Sequence, residues 1–215
     1  MQGRKSIQNL RREYKLNKLS EETVLKVPFS QFEKWFNELL NLDLIEPNAM
    51  ILATADKNAK PSARVVLLKG FSNKGFSFFT NYTSRKGLNL SENSFASLLF
   101  FWAELERQVR IEGKIKKLSR IESKKYFDTR PRESRIAAWA SEQSKIIPDR
   151  KYLEVKFKVI KKKFKGEKIP LPPNWGGFIL IPKYFEFWQG RENRLHDRIC
   201  YKKTKQSWKI FRLAP

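Results

Sequence analysis

Cysteine and histidine are almost absent from this chain of 215 residues, which holds one of each, Cys200 and His196. A lone thiol excludes an intrachain disulfide and suits a reducing cytosol; Cys200 itself reads as a small buried strand residue. One imidazole and one thiol are too few for a zinc site, so no metal ligands are expected. Also missing are a GxGxxG after a strand, a GxxxxGK[ST] loop, HExxH and GxSxG. Their absence argues against Walker-type nucleotide binding, zincin chemistry and serine hydrolysis. His196 and Asp197 are adjacent, and neighbours on a strand face opposite sides, so they do not form the paired half of a triad. No apolar run reaches the roughly 18 residues needed to cross a bilayer. The N-terminus MQGRKSIQNLRREYK lacks an apolar core of the signal-peptide kind. A cytoplasmic protein without membrane association is expected.

Acidic residues are also scarce. Lys and Arg total 45 against 22 Asp and Glu, a formal net charge of +23. Such a field favours anionic ligands. The lysines are nevertheless scattered, and the densest run, Lys156 to Lys168, reads as the solvated face of a helix. With no zinc-finger spacing, RNP-like motif or basic zipper, nucleic acid is not the expected partner. A small phosphorylated ligand meets the same electrostatics with a few placed cations. The 40% hydrophobic and 13% aromatic content is enough for a sizeable core.

No repeat or low-complexity linker divides the chain. Residues 1–27 are polar and read as a partly mobile arm with a short helix around Ile7 to Tyr14; residues 28–215 read as one domain. Ser30 to Glu33 has the capping-box pattern, followed by Phe32, Trp35, Phe36, Leu39 and Leu40 at helical spacing to about Leu44. Strands are expected at Ala49 to Ala55, Ser62 to Lys69 and Gly75 to Thr80, then at Phe95 to Trp102 and Gln108 to Leu118, with a short helix at Ser84 to Asn93. Helices follow at Arg120 to Thr129, Arg132 to Ser141 and Arg150 to Lys165, punctuated by Pro131 and Pro148. Strands return at Gly177 to Ile181, Tyr184 to Gln189, Arg198 to Lys202 and Ser207 to Leu213. Short hairpin connections make this a mainly β, α+β fold: an antiparallel barrel split by a helical insert.

Three clusters could carry chemistry. Arg64 and Lys69 bracket an apolar strand, and Arg85 and Lys86 open a helix, where free N–H groups favour an anion. The alternative is ordinary solvated charge. Tyr126 and Arg130 stand four apart on one helical face, with Pro131 turning Ser134 toward them. A phenol, guanidinium and hydroxyl suit a phosphate monoester, but a plain helix end explains them too. Trp188 to Arg198 packs an indole, several arginines and the imidazole into eleven residues. Arg194 and His196, two apart, share a face if this is a strand. They could hold an aromatic ring and stabilise developing negative charge; a decorated hairpin is the equal alternative.

Taken in order, RREY (Arg11 to Tyr14), RVVLLK (Arg64 to Lys69), FFTN and SRK (Phe79 to Lys86), LERQVRIEG, YFDTRPRES, SEQS, PLPPNWGGF, FWQGRENRLHDR (Phe187 to Arg198) and RLAP resemble the pyridoxine/pyridoxamine 5'-phosphate oxidase family. The resemblance implies a homodimer of FMN-binding split β-barrels with surrounding helices and FMN at the subunit interface. It implies oxidation of pyridoxine or pyridoxamine 5'-phosphate by O2 to pyridoxal 5'-phosphate, with hydrogen peroxide and, from the amine, ammonia released. By position, Arg64, Lys69, Arg85 and Lys86 would contact the FMN phosphate and nearby flavin atoms. Val65, Val66, Leu67, Leu68, Phe79, Thr80, Gln108, Gln143, Ser144, Trp188 and Arg198 would complete the flavin site. Lys69, Tyr126, Arg130 and Ser134 would grip the substrate phosphate, and Arg194, Leu195 and His196 would cover its ring. Arg11, Arg12, Glu13 and Tyr14 match an arm that closes over substrate. Phe79 stands where the family often has Tyr. Alternatives within the fold are a relative acting on another substrate and a non-catalytic pyridoxal phosphate- or flavin-binding protein.

Overall fold

A computed structural model of the chain describes residues 6–10 and 12–215. The elements run α1 (Pro28–Leu40), β1 (Ala49–Ala55), β2 (Pro61–Leu67), β3 (Gly70–Ser72), β4 (Gly75–Asn81), α2 (Arg85–Glu92), β5 (Phe95–Trp102) and β6 (Arg107–Lys117). Then come α3 (Arg120–Thr129), α4 (Arg132–Ala140), α5 (Arg150–Lys163), β7 (Trp175–Gln189), β8 (Asp197–Lys203) and β9 (Trp208–Arg212). Strand order is β2-β1-β5-β6-β7-β4-β3, with β8 joined to β7 and β9 to β8. The ladders β1–β2, β3–β4, β4–β7, β7–β8 and β8–β9 are antiparallel. The expected α+β class with an antiparallel sheet is therefore what forms. Among the described residues no helix is long and apolar enough to cross a membrane.

The chain condenses into two compact units. The first comprises the described residues up to 47, with 99–111 and 183–215; the second comprises 48–98 and 112–182. In the first, the apolar stripe of α1 supplies the core, as its spacing predicts. Phe32 and Leu39 are fully buried, and Trp35 is 3% exposed. Phe32 meets Phe100 edge-on with centroids 5.1 Å apart, and Trp35 meets Phe187 at 5.2 Å. Each such side chain contributes about 2 kcal/mol of transfer free energy. In the second unit, Phe127, Ile136, Phe164, Ile169 and Trp175 form a buried cluster on which Phe79 and Tyr126 pack.

Several local expectations are corrected. The helix foreseen at Ile7 to Tyr14 is one 3-10 turn, Ile7–Asn9. Just beyond it, the N–H groups of Lys15 and Leu16 donate to the Glu106 carboxylate instead of to helical carbonyls. The capping pattern at Ser30 lies inside α1, which starts at Pro28, a residue suited to the first helical position. Gln31 instead accepts from the Leu25 N–H at 2.9 Å. The helix ends at Leu40, earlier than Leu44, where the Leu42 N–H tightens onto the Leu39 carbonyl. A true capping box does occur, at Ser119 and Glu122 before α3.

The two strands expected either side of Pro182 are one strand, β7. Its first half pairs with β4 through Leu180 and its second half with β8 from Tyr184. Pro182 falls between those ladders, so neither misses its N–H. The Gly176–Gly177 pair explains how β4 sits so close. A Cβ on Gly177 would lie 2.7 Å from the Phe79 ring, and one on Gly176 would lie 2.2 Å from the Tyr82 hydroxyl.

Glycine has a comparable role at the start of α2. Ser84 caps that helix by accepting from the Gly87 N–H, and a Cβ at Gly87 would come 2.3 Å from the Tyr82 carbonyl oxygen. The contact is with backbone, so it cannot be relieved by a rotamer change. Gly87→Ala is expected to cost about 1–3 kcal/mol of stability by overpacking. A drop in the urea midpoint relative to wild type measures it.

Candidate functional site

A cavity of about 560 Å3 opens in the second unit among β2, β4, α2 and the α3–α4 junction. Eleven of the residues singled out in the sequence line it. Val65, Val66, Leu67 and Lys69 come from the β2 end; Phe79 and Thr80 come from β4. Lys86, Tyr126, Arg130, Ser134 and Gln143 complete the set. Thr129, Pro131 and Trp175 also line it and were not anticipated. Trp175 had a signal, since it heads the WGGF stretch whose glycines let β4 approach.

Its walls divide into an aromatic face and a cationic face. The Phe79 ring stacks on Tyr126 with centroids 3.9 Å apart and lies 5.6 Å from Trp175. Phe79 thus packs here through its ring face, a contact that needs no hydroxyl. The Arg130 guanidinium sits 4.8 Å above the Trp175 ring. Arg130 follows the last turn of α3 with extended backbone, φ −72° and ψ 147°, and so is not on the helical face shared with Tyr126. It reaches the same cavity because the chain turns there into Pro131.

Lys86 is 9% exposed; its Nζ lies 3.4 Å from Thr80 Oγ1 and 3.5 Å from Ser84 Oγ. The Thr80 hydroxyl donates to Gln143 Oε1 at 3.1 Å. Burial, and then the charge of Arg64, pull the Lys86 pKa below its ordinary value. Burial likewise lowers Arg130. None of the lining residues is acidic, and Arg130 Nη1 is buried with no hydrogen-bond partner. A desolvated cation without a counter-ion is an unfilled demand for an anion with oxygen acceptors. The donor set therefore fits a phosphorylated ligand, and the stacked rings fit a flat one.

Four second-unit candidates do not line this cavity. Arg64 spans the β1–β2 ladder, donating to the Leu52 carbonyl at 3.0 Å and to Thr54 Oγ1 at 2.8 Å. Leu68 is a core residue at 4% exposure. Arg85 is exposed on the first turn of α2. Ser144 is exposed, with φ at +74°, and borders a neighbouring hollow of about 210 Å3.

Of the described candidates in the first unit, Arg12, Glu13, Tyr14, Arg194 and His196 line a second cavity of about 450 Å3, and Gln108, Trp188, Leu195 and Arg198 do not. Arg191, Glu192 and Asn193, which were not singled out, line it as well. Arg11 lies outside the described residues. Trp188 meets the His196 ring at 4.6 Å, and Tyr14 stands edge-on to both at 5.7 and 5.6 Å. Arg194 and His196 do not share a strand face. β8 begins at Asp197, and Glu192–Arg194 is a 3-10 turn with Asn193 at φ +55° and Arg194 at φ +60°. Left-handed backbone without glycine costs of order 1 kcal/mol per residue and is concentrated at functional sites. Here the turn, rather than a pleat, brings Arg194 and His196 to one cavity.

His196 Nδ1 accepts from the Arg191 N–H at 3.1 Å, which leaves the proton of the neutral ring on Nε2. Burial, then the nearby Arg194 charge, push its pKa below the ordinary histidine value. Asp197 is fully engaged elsewhere. It accepts from the Leu19 N–H, from Arg191 and from Arg212, so it supports structure and is no triad member. Arg198 donates from Nε to buried Glu186 at 2.8 Å and from Nη1 to the Ala214 carbonyl. Gln108 is half-buried in β6, and Leu195 is exposed.

Two family profiles match this chain. One, described as pyridoxamine 5'-phosphate oxidase, covers residues 33–164; the other, described as the pyridoxine 5'-phosphate oxidase C-terminal dimerisation region, covers residues 175–215. Pyridoxine/pyridoxamine 5'-phosphate oxidase of Acaryochloris marina is 51% identical over 210 residues, 98% of this chain and 96% of that protein. The enzyme of the same name from Nostoc punctiforme is 53% identical over 212 residues, covering 98% and 99%. Among solved structures, PhzG from Burkholderia lata 383, in complex with tetrahydrophenazine-1-carboxylic acid, superposes with a TM-score of 0.87 at 30% identity, covering 93% of this chain and 99% of that one. A pyridoxamine 5'-phosphate oxidase-related, FMN-binding protein from Nostoc punctiforme has the same fold, with a TM-score of 0.70 at 16% identity over 88% and 98% of the two chains. With its cationic cavity, its aromatic wall and matches along nearly its whole length, the chain belongs to the pyridoxamine 5'-phosphate oxidase family.

Proposed function

We propose that this protein oxidises pyridoxine 5'-phosphate or pyridoxamine 5'-phosphate to pyridoxal 5'-phosphate with O2 as acceptor. Hydrogen peroxide is released, together with ammonia when the substrate is the amine. The observation that carries this reading is the unpartnered, buried Nη1 of Arg130 beside a cavity with no acidic wall. It calls for a phosphate, which both proposed substrates and FMN possess. Tyr126, Lys69 and Ser134 are the neighbouring donors for the substrate phosphate.

FMN, when bound, supplies the two-electron chemistry, so no protein nucleophile or metal is needed. Lys86 and Arg85, with Arg64 and Lys69, are the cations proposed for its phosphate. Val65 to Leu68, Phe79, Thr80, Gln108, Gln143 and Ser144 are proposed to line the flavin, and Trp188 and Arg198 to complete the site. The working unit is a homodimer with FMN at the interface between copies, a reading supported by the dimerisation-region match over residues 175–215. The compartment is the cytoplasm.

The protein's own contribution is positioning. Phosphate grips spend binding energy remote from the reacting carbon and hold it within reach of the acceptor. Arg194, Leu195 and His196 cover the ring, with Arg12 to Tyr14 over them, and exclude water. The neutral His196 offers its Nε2–H as a donor to the substrate. Arg194 stabilises negative charge that develops on the ring substituents. PhzG was solved with tetrahydrophenazine-1-carboxylic acid, but relatives near 50% identity bear the phosphate-oxidase name, and this cationic set suits a phosphate ester.

The direct test is to titrate purified protein with FMN, then add pyridoxine 5'-phosphate aerobically and follow pyridoxal phosphate and peroxide. A flavin that binds but is never reduced would instead indicate a non-catalytic binding protein of this fold. Arg194→Ala is expected to lower turnover about a hundredfold while FMN occupancy is kept. Arg130→Leu should raise KM about tenfold or more with FMN retained, because a charge-assisted phosphate contact is lost. His196 is held below its ordinary pKa, so it stays neutral at pH 7 and gains a proton only as pH falls further. The kcat/KM profile should therefore show an acidic limb, below about pH 6.5, that His196→Asn lacks.

A further inference from the structure

One buried carboxylate holds the N-terminal segment against the first-unit cavity. Glu106 follows the 3-10 turn Ala103–Leu105 in left-handed conformation, φ +53°, and its side chain is 3% exposed. Its backbone is tied down: the carbonyl accepts from the Gly190 N–H at 2.8 Å and from Gln189 Nε2 at 3.2 Å. The carboxylate is thereby presented to the arm. Oε2 accepts from the Lys15 N–H at 2.8 Å and the Leu16 N–H at 3.1 Å, and Oε1 lies 3.6 Å from the Arg12 guanidinium. Among the described residues these three are its side-chain partners. If the segment leaves, a buried charge is stranded without donors, which is costly.

Two further contacts define what this carboxylate controls. Tyr14 lies directly over Gly190, where a Cβ would come 2.6 Å from Tyr14 Cγ, and its ring meets Trp188 and His196. Further along, Leu19 is buried, donates to Asp197 Oδ2 at 3.0 Å and accepts from Arg212. Leu19 is therefore a fixed anchor independent of Glu106. Between anchor and cavity, Glu106 holds the backbone at Lys15 and Leu16, next to Tyr14, and Lys15 Nζ reaches Glu192 at 3.6 Å.

We propose that Glu106 is a positioning residue, a clamp that keeps residues 12–16 seated over the phosphorylated pyridine substrate. This rests on the oxidase reading above for the identity of the ligand, and on geometry alone for the clamp. Releasing the clamp weakens substrate capture and leaves the flavin cations untouched.

Two variants probe it independently. Glu106→Gln removes the charge at constant size, and Gly190→Ala evicts Tyr14 while leaving the carboxylate in place. FMN-loaded wild type and variants are digested briefly with trypsin, and cleavage after Arg12, Lys15 and Lys18 is timed by mass spectrometry. KM and kcat for pyridoxine 5'-phosphate are measured alongside. In Glu106→Gln cleavage is expected to accelerate about tenfold and KM to rise by a similar factor, the loss of one charged buried hydrogen bond; Gly190→Ala, which displaces Tyr14 and keeps that bond, should change both in the same direction. FMN content should hold, and kcat should fall by less than KM rises. Wild-type cleavage rates in both variants overturn the clamp, as does faster cleavage with unchanged KM. Flavin loss in proportion to lost turnover would also overturn it, by showing a general structural defect. If wild type shows no turnover, that failure belongs to the oxidase reading, and the cleavage rates alone decide the clamp.

Discussion

Lys86 and half-buried Arg130 stand beside a cavity whose lining contains no carboxylate, and the local architecture follows from keeping them there. Burying a cation without a counter-ion is unfavourable, so it persists only where packing over-determines it. Lys86 is held because Gly87 lets the first turn of α2 press against the backbone at Tyr82, under the Ser84 cap. Arg130 is held because Trp175 offers its ring face and Pro131 turns the chain away from α3. The field is not neutralised from within, since Lys86 feels the positive charge of Arg64, and Arg64 that of Arg85. An anion placed among these cations would relieve that repulsion.

The first unit solves a different problem by the opposite means. Two of its carboxylates each gather a pair of arginines: Glu186 takes up both Arg110 and Arg198, and Asp197 takes up Arg191 and Arg212. Paired in this way, the arginines become fixed struts. Arg194 lies outside those four pairs, on backbone strained into the left-handed region. The strained turn at Asn193 and Arg194 brings Arg194 to the cavity that His196 also lines.

Legibility in the sequence was uneven for identifiable reasons. α1 could be read because Phe32, Trp35, Phe36 and Leu39 repeat at helical spacing, and β1 and β5 because their apolar runs are bounded by turn residues. The break placed at Pro182 was wrong because proline forbids only the N–H it lacks, and β7 changes partners there. The capping pattern at Ser30 misled because Pro28 claimed the helix start two residues earlier. Arg194 and His196 were paired correctly but for the wrong reason, since a two-residue spacing predicts a pleat and the structure uses a turn. Arg191, Thr129 and Trp175 went unremarked: each acts through a backbone N–H, a position or a ring face that its residue type does not announce.

By itself the sequence determined the class of fold and the clusters of cations and aromatics. These depend on composition and short-range periodicity. The tertiary structure alone decided which cations are desolvated, that Arg130 keeps an unpartnered nitrogen, and that Asp197 braces the arm through the Leu19 N–H. It alone placed Glu106 against Lys15 and Leu16, 91 and 90 positions away. Burial and long-range hydrogen bonding depend on which distant segments share a neighbourhood, and no local pattern around Trp188 to Arg198 encodes that.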